Sequence, residues 1–139
     1  MFHSDDDIFR IGDGLRCRTL PKVNWTHAAH LAAAVWVLDQ YGPAAETVMP
    51  DLIRAYNKAT GVANTDVAGY HHTITLASLR AVRACLAGMD GTTLLERTQA
   101  VLAAGYNRPD WLLNHFSRAL LFSVAARRGW VEPDLCPLA

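Results

Sequence analysis

The sequence predicts an all-α domain: an antiparallel four-helix-bundle-like body over residues 24–139, with an irregular N-terminal arm over residues 1–23 and short helices near the C-terminus. Three observations point there. Apolar residues recur at helical spacing, helix caps and stops punctuate the chain at intervals, and no run alternates apolar with polar residues for long enough to form a strand. A chain of 139 residues that is 51% hydrophobic suits one domain with a single core.

The arm, Met1 to Val23, has weak periodicity and contains Gly12, Gly14 and Pro21, so only a short turn around Asp6 to Phe9 is expected in it. Asn24 is placed to cap a first helix running to about Tyr41, where Gly42 supplies a left-handed stop and Pro43 starts the next element. The second helix runs from Pro43 to about Thr60, with Pro50 bending or splitting it and Gly61 ending it. Turn-forming residues fill Val62 to Gly69, and Tyr70 to Ala87 reads as a third helix. Thr93 and Glu96 form a capping box for a fourth helix ending at Gly105. Pro109 opens a short helix through about Phe116, Ser123 caps one more turn ending near Gly129, and the tail with Pro133 and Pro137 is extended.

Four of the six histidines lie in two stretches, Trp25-Thr26-His27-Ala28-Ala29-His30-Leu31 and Gly69-Tyr70-His71-His72-Thr73-Ile74-Thr75. At about 100° per residue, His27, His30, Leu31, Ala34, Leu38 and Tyr41 share one stripe of the first helix, with Trp25, Ala29 and Trp36 opposite. On the third helix His71 shares a face with Ile74, Thr75, Ser78, Val82 and Cys85, while His72 turns toward Leu79 and Arg83. Hydroxyls at Thr75 and Ser78, where a plain core would carry Leu or Val, predict a polar pocket.

Imidazoles on apolar faces need partners, and a hydrogen-bonded network or a shared metal ion provides them. An i,i+3 pair such as His27 and His30 presents two nitrogens to one ion, and His71, His115 on the short helix, and His72 complete a candidate ligand set for zinc, nickel or iron. Thr75, Ser78 and Tyr56 are the candidate cofactor-binding residues, with Asn57 and Asn64 near the mouth. Cys85 is a weaker candidate thiolate, and Arg80 and Arg83 are weaker anion contacts. Trp25, Trp36, Trp111 and Trp130 suit either ligand stacking or the core.

Several classes are excluded on residues. Thirteen basic residues balance thirteen acidic ones, and no basic recognition helix appears, so nucleic acid is not an expected partner; a local basic patch stays open, with seven arginines between Arg80 and Arg128. Val23 to Leu38 falls short of the ~20 apolar residues of a membrane span and contains Asn24, His27 and His30. Cys17, Cys85 and Cys136 are widely spaced and odd in number, which fits a reducing cytoplasm, and the acidic start does not read as a secretory signal. There is no H-E-x-x-H, no paired Glu-x-x-His, no G-x-S-x-G and no phosphate loop.

The stretches Trp25-Thr26-His27-x-x-His30-Leu31, Tyr56-Asn57 to Asn64-Thr65, Gly69-Tyr70-His71-x-Thr73-Ile74-Thr75, and His115-Phe116-Ser117-Arg118 to Val131-Glu132-Pro133-Asp134-Leu135 resemble a family of small, uncharacterised bacterial helical proteins over about Leu20 to Leu138. The resemblance implies no activity. It implies an acid after the histidine matched by His71, where this chain has His72, so His72 would stand in as donor, base or ligand. The architecture is distantly similar to the DinB-like bundles, which place three histidines around one divalent ion. Two functions follow: a metal-dependent hydrolase or transferase acting on a small molecule, or a non-enzymatic small-molecule-binding or sensor module with a metal-free histidine network. A homodimer or scaffold role stays open beside them.

Overall fold

A computed structural model of the protein describes residues 1–138, which are all-helical with no strand among them. The helices are α1 (Asp5–Cys17), α2 (His27–Tyr41), α3 (Ala45–Ala59), α4 (His72–Leu86), α5 (Leu94–Val101), α6 (Arg118–Leu121) and α7 (Val124–Arg128). Short 3-10 turns precede α2 and α3, a π turn at Leu102–Tyr106 extends α5, and a 3-10 turn covers Trp111–Asn114.

α2 is the centre. Every residue from Leu31 to Val37 is buried, and α1, α3, α4 and α5 all pack against it. A helix that is apolar all round belongs inside, and its alanines at 28, 29, 32, 33 and 34 let neighbouring backbones come close. The one-sided stripe expected from the sequence does not exist, because Trp36 on the supposed outer side is as deeply buried as Leu31.

What covers Trp36 is α1, and here the expected irregular arm is corrected. Ile8, Ile11 and Leu15 form a buried stripe, and Asp5, Asp6 and Asp7 place negative charge in the first turn, where it complements the helix dipole. Gly12, which reads as a helix breaker, is a packing residue: a Cβ there would fall inside the Trp36 indole. Phe9 meets the same indole edge-on at 6.2 Å.

Other boundaries moved for local reasons. Thr26, not Asn24, caps α2, its Oγ1 accepting from the Ala29 N–H at 3.1 Å. α3 runs through Pro50 without a break in its assignment. The Thr93/Glu96 capping box forms as expected, with Glu96 N–H donating to Thr93 Oγ1 at 3.1 Å and Thr93 N–H to Glu96 Oε1 at 3.2 Å. Ser123 caps α7 through the Ala126 N–H. The additional turn α6, capped by Ser117, was not foreseen.

A second, smaller apolar cluster joins Ala77 and Ala81 of α4 to Trp111, Leu112, Phe116 and Leu121, so the C-terminal segment packs on α4. Fully buried Thr73 pins it further: its Oγ1 donates to the Gly129 carbonyl at 2.7 Å and accepts from the Val131 N–H at 3.2 Å. No helix is long and apolar enough to cross a membrane among the described residues.

The Gly12–Trp36 approach yields a stability prediction. Alanine is intrinsically the better helix former by about 1 kcal/mol, but overpacking typically costs about 1–3 kcal/mol. Gly12→Ala is expected to lower the urea midpoint, and a midpoint that rises would mean that α1 does not dock on Trp36.

Candidate functional site

The site is assembled where α2, α3 and α4 meet the 62–70 segment, and the histidines are best followed by what each ring nitrogen does. His71 is the N-cap of α4, not a member of its inward face. Its Nδ1 accepts the Ile74 N–H at 3.1 Å, which leaves the proton on Nε2, and Nε2 donates to the Leu121 carbonyl at 2.6 Å. Both nitrogens are committed, and no lone pair remains for a ligand.

His30 behaves differently. Its Nδ1 donates to the Thr26 carbonyl one turn earlier at 2.7 Å, and its ring stacks on Trp25 with centroids 3.7 Å apart. In the neutral ring Nε2 is therefore an acceptor with no hydrogen-bond partner among the described residues. Burial holds the His30 pKa below the ordinary histidine value, against the Thr26 bond that favours the cation, with His27 adding a smaller push downward.

The remaining histidines face other tasks. His27 Nε2 donates to the Tyr106 carbonyl at 2.8 Å, tying the start of α2 to the end of the π turn. His72 Nδ1 accepts from the Tyr70 hydroxyl at 2.8 Å. His115 Nδ1 sits 3.1 Å and 3.0 Å from the Cys136 and Pro137 carbonyls, so it latches the C-terminal tail and does not close the pocket. Among the described residues no group of three or more His, Cys, Asp or Glu side chains is arranged to hold a metal ion. The ligand set expected of His27, His30, His71, His72 and His115 is thus not brought together; the rings bond separately to the Tyr106, Thr26 and Leu121 carbonyls, the Tyr70 hydroxyl and the carbonyls of the C-terminal tail.

A pocket is present, but its lining is mostly apolar and not the polar one expected. A cavity of about 410 Å³ is walled by Trp25, His30, Ile53, Tyr70, His71, Ile74, Thr75 and Arg127, within the size range of small-molecule sites. Behind it lies a smaller cavity of about 80 Å³ that shares His30, Ile53, Ile74 and Thr75 as a common wall and reaches Ser78, Leu31, Ala34 and Met49. Thr75 therefore lines both spaces and Ser78 the inner one. The Thr75 hydroxyl donates to the His71 carbonyl at 2.8 Å and keeps its lone pairs. Tyr56 is a correction: it is 1% exposed, and its hydroxyl donates to the Leu20 carbonyl at 2.8 Å, so it anchors the segment before α2 and lines neither cavity. Cys85 is half-buried beside the main core and lines neither cavity.

The rim is held by a polar clasp around Asn64. Its Oδ1 accepts from Asn57 Nδ2 and from the Tyr70 N–H, both at 3.0 Å, and its Nδ2 donates to the Arg54 carbonyl at 3.2 Å. Gly69, at φ 80°, is required here, since a Cβ would meet the Ala63 carbonyl and lie 2.8 Å from Asn64 Oδ1. α7 clamps the same segment from outside: Arg128 forms a two-pronged pair with Asp66 at 2.7 Å on each prong, and Arg127 Nη1 donates to the Gly69 and Tyr70 carbonyls at 2.9 Å and 3.3 Å. Arg127 is the functional candidate that sequence reading missed. Its only signal in the sequence is the Arg127-Arg128 pair at the end of the last helix in the arginine-rich half, beside the weaker anion candidates Arg80 and Arg83. Those two pair with Glu46, and Arg80 also lies over the Trp130 ring.

Comparison with family models, with curated proteins and with solved structures finds no match to the chain.

Two predictions follow from the histidine bonding. His71→Ala removes a helix cap, worth about 1 kcal/mol, together with a buried hydrogen bond of similar size, so chemical denaturation is expected to show a loss of about 2 kcal/mol; an unchanged midpoint would contradict the cap. The pKa values of His30, His71 and His72 are all lowered, burial being the first cause in each case. The native state then binds fewer protons than the unfolded chain just below the ordinary value of 6.5. Stability should be fully present above about pH 6.5 and fall as pH drops below it toward the lowered native values. A thermal midpoint that rises from pH 7 to pH 5.5 would contradict this.

Proposed function

We propose that the protein is a small-molecule-binding module whose histidines form a metal-free hydrogen-bonded network, with the ligand held in the cavity beside His30. The observation that carries this reading is the division of labour between the imidazoles. His71 uses both nitrogens to build the floor of the cavity, while His30 spends only Nδ1 and keeps Nε2 as an acceptor beside it. A neutral imidazole fixed by a backbone carbonyl on one nitrogen is an orienting acceptor for a hydroxyl or N–H on a ligand. Around it the wall is mostly apolar and aromatic, with a few polar groups, which is the usual make-up of a ligand site.

A second reading keeps the same site as a hydrolase, with His30 Nε2 as general base on a water; the mostly apolar and aromatic wall favours binding over that chemistry. The metal-dependent reading would require His71 to give up its bond to the Ile74 N–H or to the Leu121 carbonyl, and the remaining rings are not grouped to complete a site among the described residues.

The test compares untagged protein with and without chelator, and after incubation with zinc, nickel or ferrous iron. The thermal midpoint is expected to be the same in each condition. His30→Ala is expected to leave metal content unchanged at background while altering the binding of small probes to the cavity. Stoichiometric metal in the wild type that is lost in His30→Ala would overturn the reading.

A further inference from the structure

Arg127 separates itself from the other arginines. Arg18, Arg118 and Arg127 have no ion pair among the described residues, and of these Arg18 and Arg118 stand exposed while Arg127 is half-buried in the cavity wall. Only its Nη1 is occupied, by the Gly69 and Tyr70 carbonyls. The Nε–Nη2 edge is left without a protein acceptor, and that edge carries the two parallel N–H donors that match a carboxylate in a two-pronged pair. No aspartate or glutamate lines the cavity to compete for it. Solvent reaches the Arg127 fork, so it is open to an anionic ligand.

The rest of the cavity defines the body of the ligand. Ile53, Ile74 and the Trp25 ring offer apolar walls, and the inner space behind His30 is bounded largely by Leu31, Ala34, Met49, Ile53, Ile74 and Leu79. A small space of this lining favours an apolar group over water. The charge count selects a monoanion: Arg127 is the single fixed cation on the wall, and burial keeps His30 and His71 neutral, so a phosphate dianion would be left half compensated.

Resting on the binding reading above, we propose that the cavity takes a small monocarboxylate with an apolar or aromatic body, its carboxylate on the Nε–Nη2 edge of Arg127 and its body along Trp25 and Ile74 toward the space behind His30. Arg127 thereby joins the end of α7 to the site, and the 62–70 segment held by Asn64 becomes the rim over the ligand. His30 Nε2 accepts from a hydroxyl or N–H where the body carries one.

The test is an NMR titration of the isotopically labelled full chain with three matched probes: 4-phenylbutyrate, its carboxamide, and 3-phenylpropylphosphonate at a pH where it is a dianion. The carboxylate is expected to shift the Arg127 Nε–H signal together with the backbone amides of Gly69 and Thr75 in a saturable manner. Loss of a charge-assisted pair should make the carboxamide weaker by about tenfold or more. Arg127→Gln should weaken the carboxylate by a similar factor and the carboxamide by clearly less, with Arg127→Lys in between for the carboxylate. The wild-type comparison of acid and amide needs no variant and decides the matter even if Arg127→Gln fails to fold. Equal binding of acid and amide at the cavity would overturn the carboxylate assignment and leave the binding module standing. Tighter binding of the phosphonate would also overturn it. If none of the probes shifts a cavity amide, the assignment falls; an unchanged thermal midpoint across the metal and chelator conditions would then still leave the metal-free network intact.

Discussion

Between Leu31 and Val37 no residue of α2 reaches solvent, and the protein is organised around meeting that demand. A helix with no polar face must be wrapped, and α1, α3, α4 and α5 wrap it. The alanines of α2 keep the neighbours close, and Gly12 lets α1 press its backbone onto Trp36. α2 reaches the edge of the core at both ends, at its last turn with exposed Asp39 and Gln40 and at its first with half-buried His27 and His30. The site lies at the first turn.

At that edge the polar groups are satisfied by main-chain carbonyls. His27 reaches Tyr106, His30 reaches Thr26, His71 reaches Leu121, Tyr56 reaches Leu20 and Arg127 reaches Gly69 and Tyr70. All but the His30 bond cross to a neighbouring turn or helix end, where carbonyls lack helical partners; the Thr26 carbonyl is one turn before His30 and also accepts the His30 backbone N–H. The imidazoles thus act as ties, and each tie uses one ring nitrogen. His71 has both nitrogens bonded, whereas His27, His30 and His72 each spend one, and of these three His30 lines the larger cavity.

Much of this was legible in the residues, and the failures have physical causes. The capping box at Thr93, the Ser123 cap and the helical class depend on local chemistry, so short-range patterns reveal them. α1 was missed because Gly12 and Gly14 weaken a helix in isolation, and only the long-range contact with Trp36 explains them. Thr75 and Ser78 stand out in the sequence as hydroxyls on an apolar face, and both line the inner cavity. His71 was misassigned from helical angle alone, since a residue at an N-cap lies outside the helix whose face it was counted on. Arg127 could not be found from spacing, because its role depends on α7 folding back over a segment about sixty residues earlier.

The account rests on His30 being a neutral ring with its proton on Nδ1 and a vacant acceptor at Nε2, in protein free of metal. Long-range nitrogen–proton correlation NMR on untagged protein near neutral pH reads this directly. The expected pattern for His30 is a protonated Nδ1 and an unprotonated Nε2, unchanged by chelator. A protonated Nε2, an imidazolium pattern, or an Nε2 signal that moves when chelator is added would contradict it.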